Sequence, residues 1–185
     1  MGVSLEALRA VPRAMTARLG RPRVSLAPRL DGDAASQWTR SPGLLDIRVA
    51  TAEVDEHDVA LEALLCLGQA LWESTSPAER EAWWKLLDAE ITAGVVGEID
   101  EDALREKRAL LAGRHSARSR RRLERYGRAS FAATAAEYVH CMWHDVEIRS
   151  GSDYLPAACL RRRLELFLRW FPPNPGQRLW PGYNE

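Results

Sequence analysis

His140 and His144, in the run His-Cys-Met-Trp-His, stand four residues apart, so on a helix their imidazoles lie one turn apart on one face, the spacing of a helical metal pair. Glu137 lies one turn earlier and Asp145 and Glu147 follow closely, which places carboxylates at hand for a metal-dependent hydrolase. The pattern fixes no third ligand, and two histidines near the end of a helix commonly serve as capping or surface groups. Cys66 is a second candidate, as a thiol nucleophile paired with one of these histidines. It lies in a nearly all-apolar stretch, where a thiolate is disfavoured. The third candidate is cationic: seven arginines fall between Arg114 and Arg128, with Arg120, Arg121 and Arg122 consecutive and Glu124 the one acid among them. Such a strip could track the phosphates of nucleic acid. The plainer reading is a solvated helix face balanced by Glu98, Asp100, Glu101, Asp102 and Glu106 just upstream, and the absence of an aromatic residue before Tyr126 favours it. His57 and His115 fall in polar connecting stretches and join no constellation.

The element that must position most of these groups is Val59 to Glu73, the most apolar continuous run and long enough for about four helical turns. A helix that is apolar nearly all round has neighbours on every side, so Gln69 is expected to be a buried amide that needs hydrogen-bond partners. Before it, Leu5, Leu8, Val11, Met15 and Leu19 keep helical spacing, with Pro12 kinking or dividing the helix. From Arg21 to Ala50, short alternating runs punctuated by Pro22, Pro28, Gly32, Pro42 and Gly43 read as strands; Leu45, Ile47 and Val49 point one way, Asp46 and Arg48 the other.

After the central helix, Ser76-Pro77-Ala78-Glu79 is a capping box that starts a helix whose Trp83, Trp84, Leu86, Leu87 and Ile91 read as core packing. Gly94 and Gly97 end it, and Asp100-Glu101-Asp102 opens a short charged helix through Leu111. A second mainly apolar helix follows a break at Gly127 and continues towards Arg149. Between Pro156 and Pro172, Leu160, Leu164, Phe167 and Leu168 mark one face of a last helix and Arg161, Arg162, Arg163 and Glu165 mostly the other. The sequence predicts one α+β domain over residues 1–185, mainly helical with a small amino-terminal sheet, and an extended tail over about 172–185 whose Leu179, Trp180 and Tyr183 are candidate anchors, either to the body of the domain or to a partner.

Composition narrows the function classes. With 46% apolar residues the chain can bury a real core, and 26 basic residues against 26 acidic ones leave no long-range field to draw it to nucleic acid or anionic lipid. Only Lys85 and Lys107 are lysines, a coding bias towards arginine and not a functional signal. Three cysteines, Cys66, Cys141 and Cys159, in apolar helical contexts and without close pairing fit a reducing cytoplasm. No apolar run reaches the length of a membrane span, and the amino terminus lacks the apolar core of a signal peptide.

Leu65-Cys66-Leu67-Gly68-Gln69-Ala70-Leu71 resembles the active-site helix of the zincin metallopeptidases, His-Glu-x-Gly-His-Ala-Leu, with every chemical residue replaced. Further on, Tyr126-Gly127-Arg128 and Phe131-Ala132 resemble the stretch in which catalytic domains like that of anthrax lethal factor present their catalytic tyrosine and third zinc ligand. The resemblance covers roughly residues 44–149, with the charged segment from Gly97 to Arg122 as an insertion. It implies a zincin-like fold in which Leu65 and Gln69 stand for the zinc histidines, Cys66 for the general-base glutamate and Ala133 for the ligand glutamate, while Tyr126 is retained. Leucine and alanine cannot ligate zinc, glutamine is a poor ligand, and a thiol is no substitute for the base. The resemblance therefore implies a protein with no zinc cofactor and no catalytic residue there, serving as an interaction or scaffold subunit, such as an accessory subunit of a bacterial assembly. It also predicts that the helix of Gln69 lies next to the helix of Ala133.

Overall fold

The computed structural model describes residues 6–52, 54–113, 119–143 and 151–179. Two short helices, α1 (Glu6–Ala10) and α2 (Arg13–Leu19), are divided at Pro12, whose missing N–H and fixed φ preclude one continuous helix. Strands β1 (Arg21–Ala27), β2 (Ser36–Ser41) and β3 (Leu44–Ala50) follow. They form a sheet of order β1-β3-β2, in which β1 runs parallel to β3 and β2 antiparallel to it. Pro42 and Gly43 form the two-residue turn between β2 and β3, and Gly43 has a φ of 73°, a conformation glycine adopts without steric cost. Leu45, Ile47 and Val49 are buried beneath the central strand, whereas Arg23 and Asp46 pair on the opposite face.

The helical body comprises α3 (Glu56–Glu73), α4 (Pro77–Thr92), α5 (Glu101–Ala112), α6 (Ser119–Trp143) and α7 (Ala157–Trp170). Helix α3 lies between the sheet and α6 and starts where the Asp55 side chain accepts a hydrogen bond from the Asp58 N–H. The capping box of α4 is complete: Ser76 accepts from the Glu79 N–H while the Glu79 carboxylate accepts from the Ser76 N–H. Arg18 forks onto the same Glu79 carboxylate, joining α2 to α4. The core is aromatic where α3, α4, α6 and α7 meet: Phe131 lies 5.4 Å from Trp83 and 4.9 Å from Phe167, ring centre to ring centre.

Three details differ from the sequence reading. Gly127 does not break α6, which runs through it; the glycine is needed because a Cβ there would sit 1.9 Å from the ring of Trp84. Arg163 does not face solvent but is wholly buried, and Leu168, assigned to the inner face, is 39% exposed. Of the predicted tail anchors, Leu179 packs partly buried against the core, whereas Trp180 and Tyr183 lie outside the described residues.

The tail's other attachments are polar. Pro12 offers α2 no side-chain cap, and Asn174 supplies one from 161 residues away, accepting from the Arg13 N–H at 2.9 Å while donating to the Val11 carbonyl at 3.0 Å. Gln177 donates to the Arg9 carbonyl, and the Tyr138 hydroxyl to that of Phe171. Asn174→Ala is expected to cost about 1 to 2 kcal/mol, the usual worth of a helix cap. The loss should be read in urea denaturation and, by hydrogen exchange, as earlier opening of the amides of α1 and α2.

Candidate functional site

Where the resemblance places a metal centre, α3 and α6 cross at close range. A Cβ on Gly68 would stand 2.6 Å from the Ala132 carbonyl oxygen and 2.8 Å from the Ala132 Cα, so the two backbones touch at the residues preceding Gln69 and Ala133. The adjacency predicted for these helices is present. Small residues make it possible, since Ala132, Ala133, Ala135 and Ala136 give α6 a face without long side chains.

The side chains around the crossing are apolar or hydrogen-bonded. Ala133 and Cys66 are buried and Leu65 is half-buried. The Gln69 carbonyl oxygen accepts from the Trp38 indole N–H at 3.2 Å, so the half-buried amide has the partner its position requires. The Ser36 hydroxyl donates to Glu62 at 2.8 Å, completing a seam between β2 and α3. Burial pushes the Cys66 thiol up to about 11; a hydrogen bond with Ser36 opposes the shift and the Glu62 charge adds to it. At neutral pH Cys66 is a thiol, neither a nucleophile nor a base. Leu65 and Ala133 offer no zinc ligand, Gln69 is a poor one whose oxygen is already engaged, and Cys66, at the position of the base, is a buried protonated thiol. Farther along this side, Asp100 caps α5 through the Ala103 N–H at 2.7 Å, yet burial and the neighbouring charges of Asp102, Glu98 and Glu62 raise its carboxyl to about 6.

Tyr126 has a different setting from the one the resemblance implies. It is buried, and its hydroxyl donates to Glu98 at 2.6 Å, so it faces an internal ionic cluster and not an open cleft. Arg163 forms the centre of that cluster. Its guanidinium reaches Glu90 through Nε at 3.1 Å and Nη2 at 2.5 Å, and Glu98 through Nη1 at 2.7 Å and Nη2 at 2.9 Å. Lys107 donates to Glu98 at 3.0 Å and to the Gly97 carbonyl at 2.9 Å. Two cations thus meet two carboxylates with none of the four exposed beyond 1%. Burial by itself would raise the Glu98 carboxyl, but the Arg163 charge and hydrogen bonds, with Lys107 and Tyr126, hold it at about 2. Burial and the Glu98 charge push the Tyr126 hydroxyl well above its ordinary value. The cluster ties α4, α5, α6, α7 and the segment before α5 together, and every charge in it is internally matched.

At the opposite end of α6, His140 accompanies Glu137, whose Oε2 lies 3.4 Å from the ring Nδ1. The fold brings His57, from the first turn of α3, to 5.1 Å from His140 between ring centres and stacks it on Trp143 at 5.5 Å. The sequence reads His57 as part of a polar connecting stretch, whereas it belongs to the first turn of α3, and the fold brings it beside a residue 83 positions away. His144, Asp145 and Glu147 lie outside the described residues, as does His115. Among the described residues, no three of His, Cys, Asp and Glu are placed as a metal-ligand set.

The arginine strip is partly consumed by ion pairs. Arg125 forks onto Glu106 at 2.8 and 3.0 Å and Arg128 meets Glu73 at 3.1 Å, while Glu124 pairs with Arg80. Of the five acids proposed to balance it, Glu106 does so; Glu98 is internal and Asp102 pairs with Arg105. Arg120 and Arg121 are exposed on the first turn of α6, and Arg114 and Arg118 lie outside the described residues. No helix among the described residues is long and apolar enough to cross a membrane. Comparisons with protein-family models, curated proteins and solved structures find no match for this chain.

Proposed function

We propose that the chain is a catalytically inactive zincin-like protein that acts as an interaction or scaffold subunit. The observation that carries this reading is the crossing of α3 and α6 at Gly68 and Ala132, beside the positions at which a zincin holds its ligands. Those positions carry Leu65, Cys66, Gln69 and Ala133, and the seam around them is hydrogen-bonded shut through Trp38, Ser36 and Glu62. Without a ligand, a base or an accessible tyrosine, hydrolysis of a peptide has no means of activating water or stabilising an oxyanion. What remains useful is a rigid folded surface, and the reading assigns its partner to the proteins.

Restoring the ligands tests the family half of the proposal. The wild type should show no peptidase activity that a chelator abolishes. Leu65→His, Cys66→Glu, Gln69→His and Ala133→Glu together should bind one zinc ion more than the wild type, and zinc should raise the variant's Tm. Zinc binding is expected more readily than turnover, because Tyr126 is locked to Glu98 and the outer partners that orient imidazoles are absent. A variant that folds but gains no zinc would mean that these four positions do not converge, and the zincin-like reading would fall.

A further inference from the structure

We propose that the outer edge of β1 binds an extended, acidic segment of a partner protein as an added strand. With the sheet ordered β1-β3-β2, β1 is an edge strand among the described residues. The Arg21 N–H donates to the Gly43 carbonyl at 3.0 Å, and the Ala27 carbonyl accepts from the Thr51 N–H at 2.9 Å, so Arg21, Arg23, Ser25 and Ala27 turn their main chain towards β3. By the alternation of a strand, Pro22, Val24 and Leu26 turn theirs outward. Pro22 thus stands where its missing N–H costs the sheet nothing. The outward row is the carbonyl of Pro22 and the N–H and carbonyl of Val24 and of Leu26. Such a mixture of donors and acceptors matches another polypeptide backbone and not a row of phosphates.

The two sides of the strand set the composition of the partner. On the outer side Arg21, Arg23 and Ser25 stand in register with Leu44, Asp46 and Arg48, so three arginines accompany one acid, and Arg21 and Arg48 are exposed. From Arg9 to Leu30 the chain carries six arginines and no acidic residue. On the inner side Val24 and Leu26 stand in register with the buried Ile47 and Val49. Leu26 is nevertheless 37% exposed, because α3 packs beneath β3 and β2. A strand that alternates acidic and apolar side chains would meet the arginines with one set and cover Leu26 with the other. A second copy of this chain fits poorly. Antiparallel pairing about Val24 would set Pro22 opposite Leu26, which forfeits a hydrogen bond, and would place the Arg23 side chains of the two copies diagonally across from each other. The inference rests on the interaction half of the proposed function, whose partner class it names, and uses nothing of the zincin-like half.

The probe is a short capped peptide of alternating glutamate and valine, titrated into the full chain at low salt and followed by backbone NMR. Binding should shift the amide signals of Val24 and Leu26, slow their hydrogen exchange, and weaken as salt is raised. Val24→Pro removes one outward N–H and leaves the pairing with β3 in place, which unmoved β3 amides would verify; it should weaken binding about tenfold. Arg21→Glu combined with Arg48→Glu should abolish binding, and a peptide of alternating lysine and valine should not bind the wild type. Absence of binding at millimolar acidic peptide would mean that Pro22 and the arginines only blunt the edge, and would overturn the proposal. Equal affinity in Val24→Pro, or equal binding of the basic peptide, would overturn it as well. A single-stranded oligonucleotide that moves the same amides where the acidic peptide does not would reassign the surface to nucleic acid and sink the proposal. Peptide binding that leaves the Val24 and Leu26 amides unmoved would keep the interaction reading and remove β1 from it. Neither probe nor variant touches Leu65, Cys66, Gln69 or Ala133, so the zinc test of the zincin-like reading is decided separately.

Discussion

Arg163→Met is expected to cost about 3 to 5 kcal/mol of folding free energy, the range for removing one partner of a buried ion pair. In a domain of this size that lowers Tm by roughly 6 to 20 °C. The loss arises because Glu90 and Glu98, each at most 1% exposed, would be left with only Lys107 beside one of them, so each must either bear an unmatched buried charge or take up a proton. Methionine fills much of the arginine's volume, so a cavity is a minor part of the effect. Replacing the cluster as a set, with Glu90→Gln, Glu98→Gln and Lys107→Met added, should recover a large part of the loss, since neutral side chains leave no buried charge unmatched. Urea denaturation of the single and combined variants measures both quantities. A loss below about 1 kcal/mol for Arg163→Met would place the pair in the range of solvated ion pairs and contradict its burial.

The same cluster predicts a pH dependence of fixed sign. The Glu98 carboxyl is held at about 2 in the folded protein against an ordinary value of 4.5. Its contribution is therefore complete above about pH 4.5 and is lost as pH falls towards 2, because the unfolded chain takes up the proton first. The difference corresponds to about 3 kcal/mol at 1.36 kcal/mol per pKa unit. In Glu98→Gln this part of the acid profile should be flat.

The local signals in the sequence were sufficient wherever the cause of a structure lies within a few residues. The capping box at Ser76, the division at Pro12, the alternation of Leu45, Ile47 and Val49, and the prolines bounding α7 each act through their own backbone or immediate neighbours, and each is found where it was expected. The features that escaped depend on partners distant in sequence. Arg163 reads as one of three arginines on a polar face, and only Glu90 and Glu98, 73 and 65 residues away, make its burial favourable. Lys107 is equally ordinary in a charged helix until Glu98 and Gly97 enclose it. The parallel pairing of β1 with β3 requires a strand to enter between two sequence neighbours, for which no short-range pattern exists. Glu90 carries a signal of its own: it adjoins Ile91 on the buried side of α4, where a charge needs a partner.

Gly68→Ala is expected to destabilise the protein by about 2 to 3 kcal/mol even though alanine is the better helix former by about 1 kcal/mol. The sign follows from what the added methyl would meet. Its nearest atoms are the Ala132 carbonyl oxygen at 2.6 Å and the Ala132 Cα at 2.8 Å, both backbone atoms of a helix packed on several sides, so relief requires α3 and α6 to move apart as bodies. Gly113→Ala is the comparison: its methyl would meet the far end of the Arg122 side chain and not the backbone of a packed helix, and Gly113 has an ordinary negative φ. That variant should stay within about 0.5 kcal/mol of the wild type, as a substitution with no buried backbone in its way. Gly68→Val should lose more than Gly68→Ala, because a branched side chain deepens the same clash. Denaturation midpoints of the three variants decide the matter. If Gly68→Ala proves neutral or stabilising, the helices are farther apart than the crossing requires, Gln69 and Ala133 no longer flank a common point, and the proposal of a zincin-like scaffold loses the observation on which it rests.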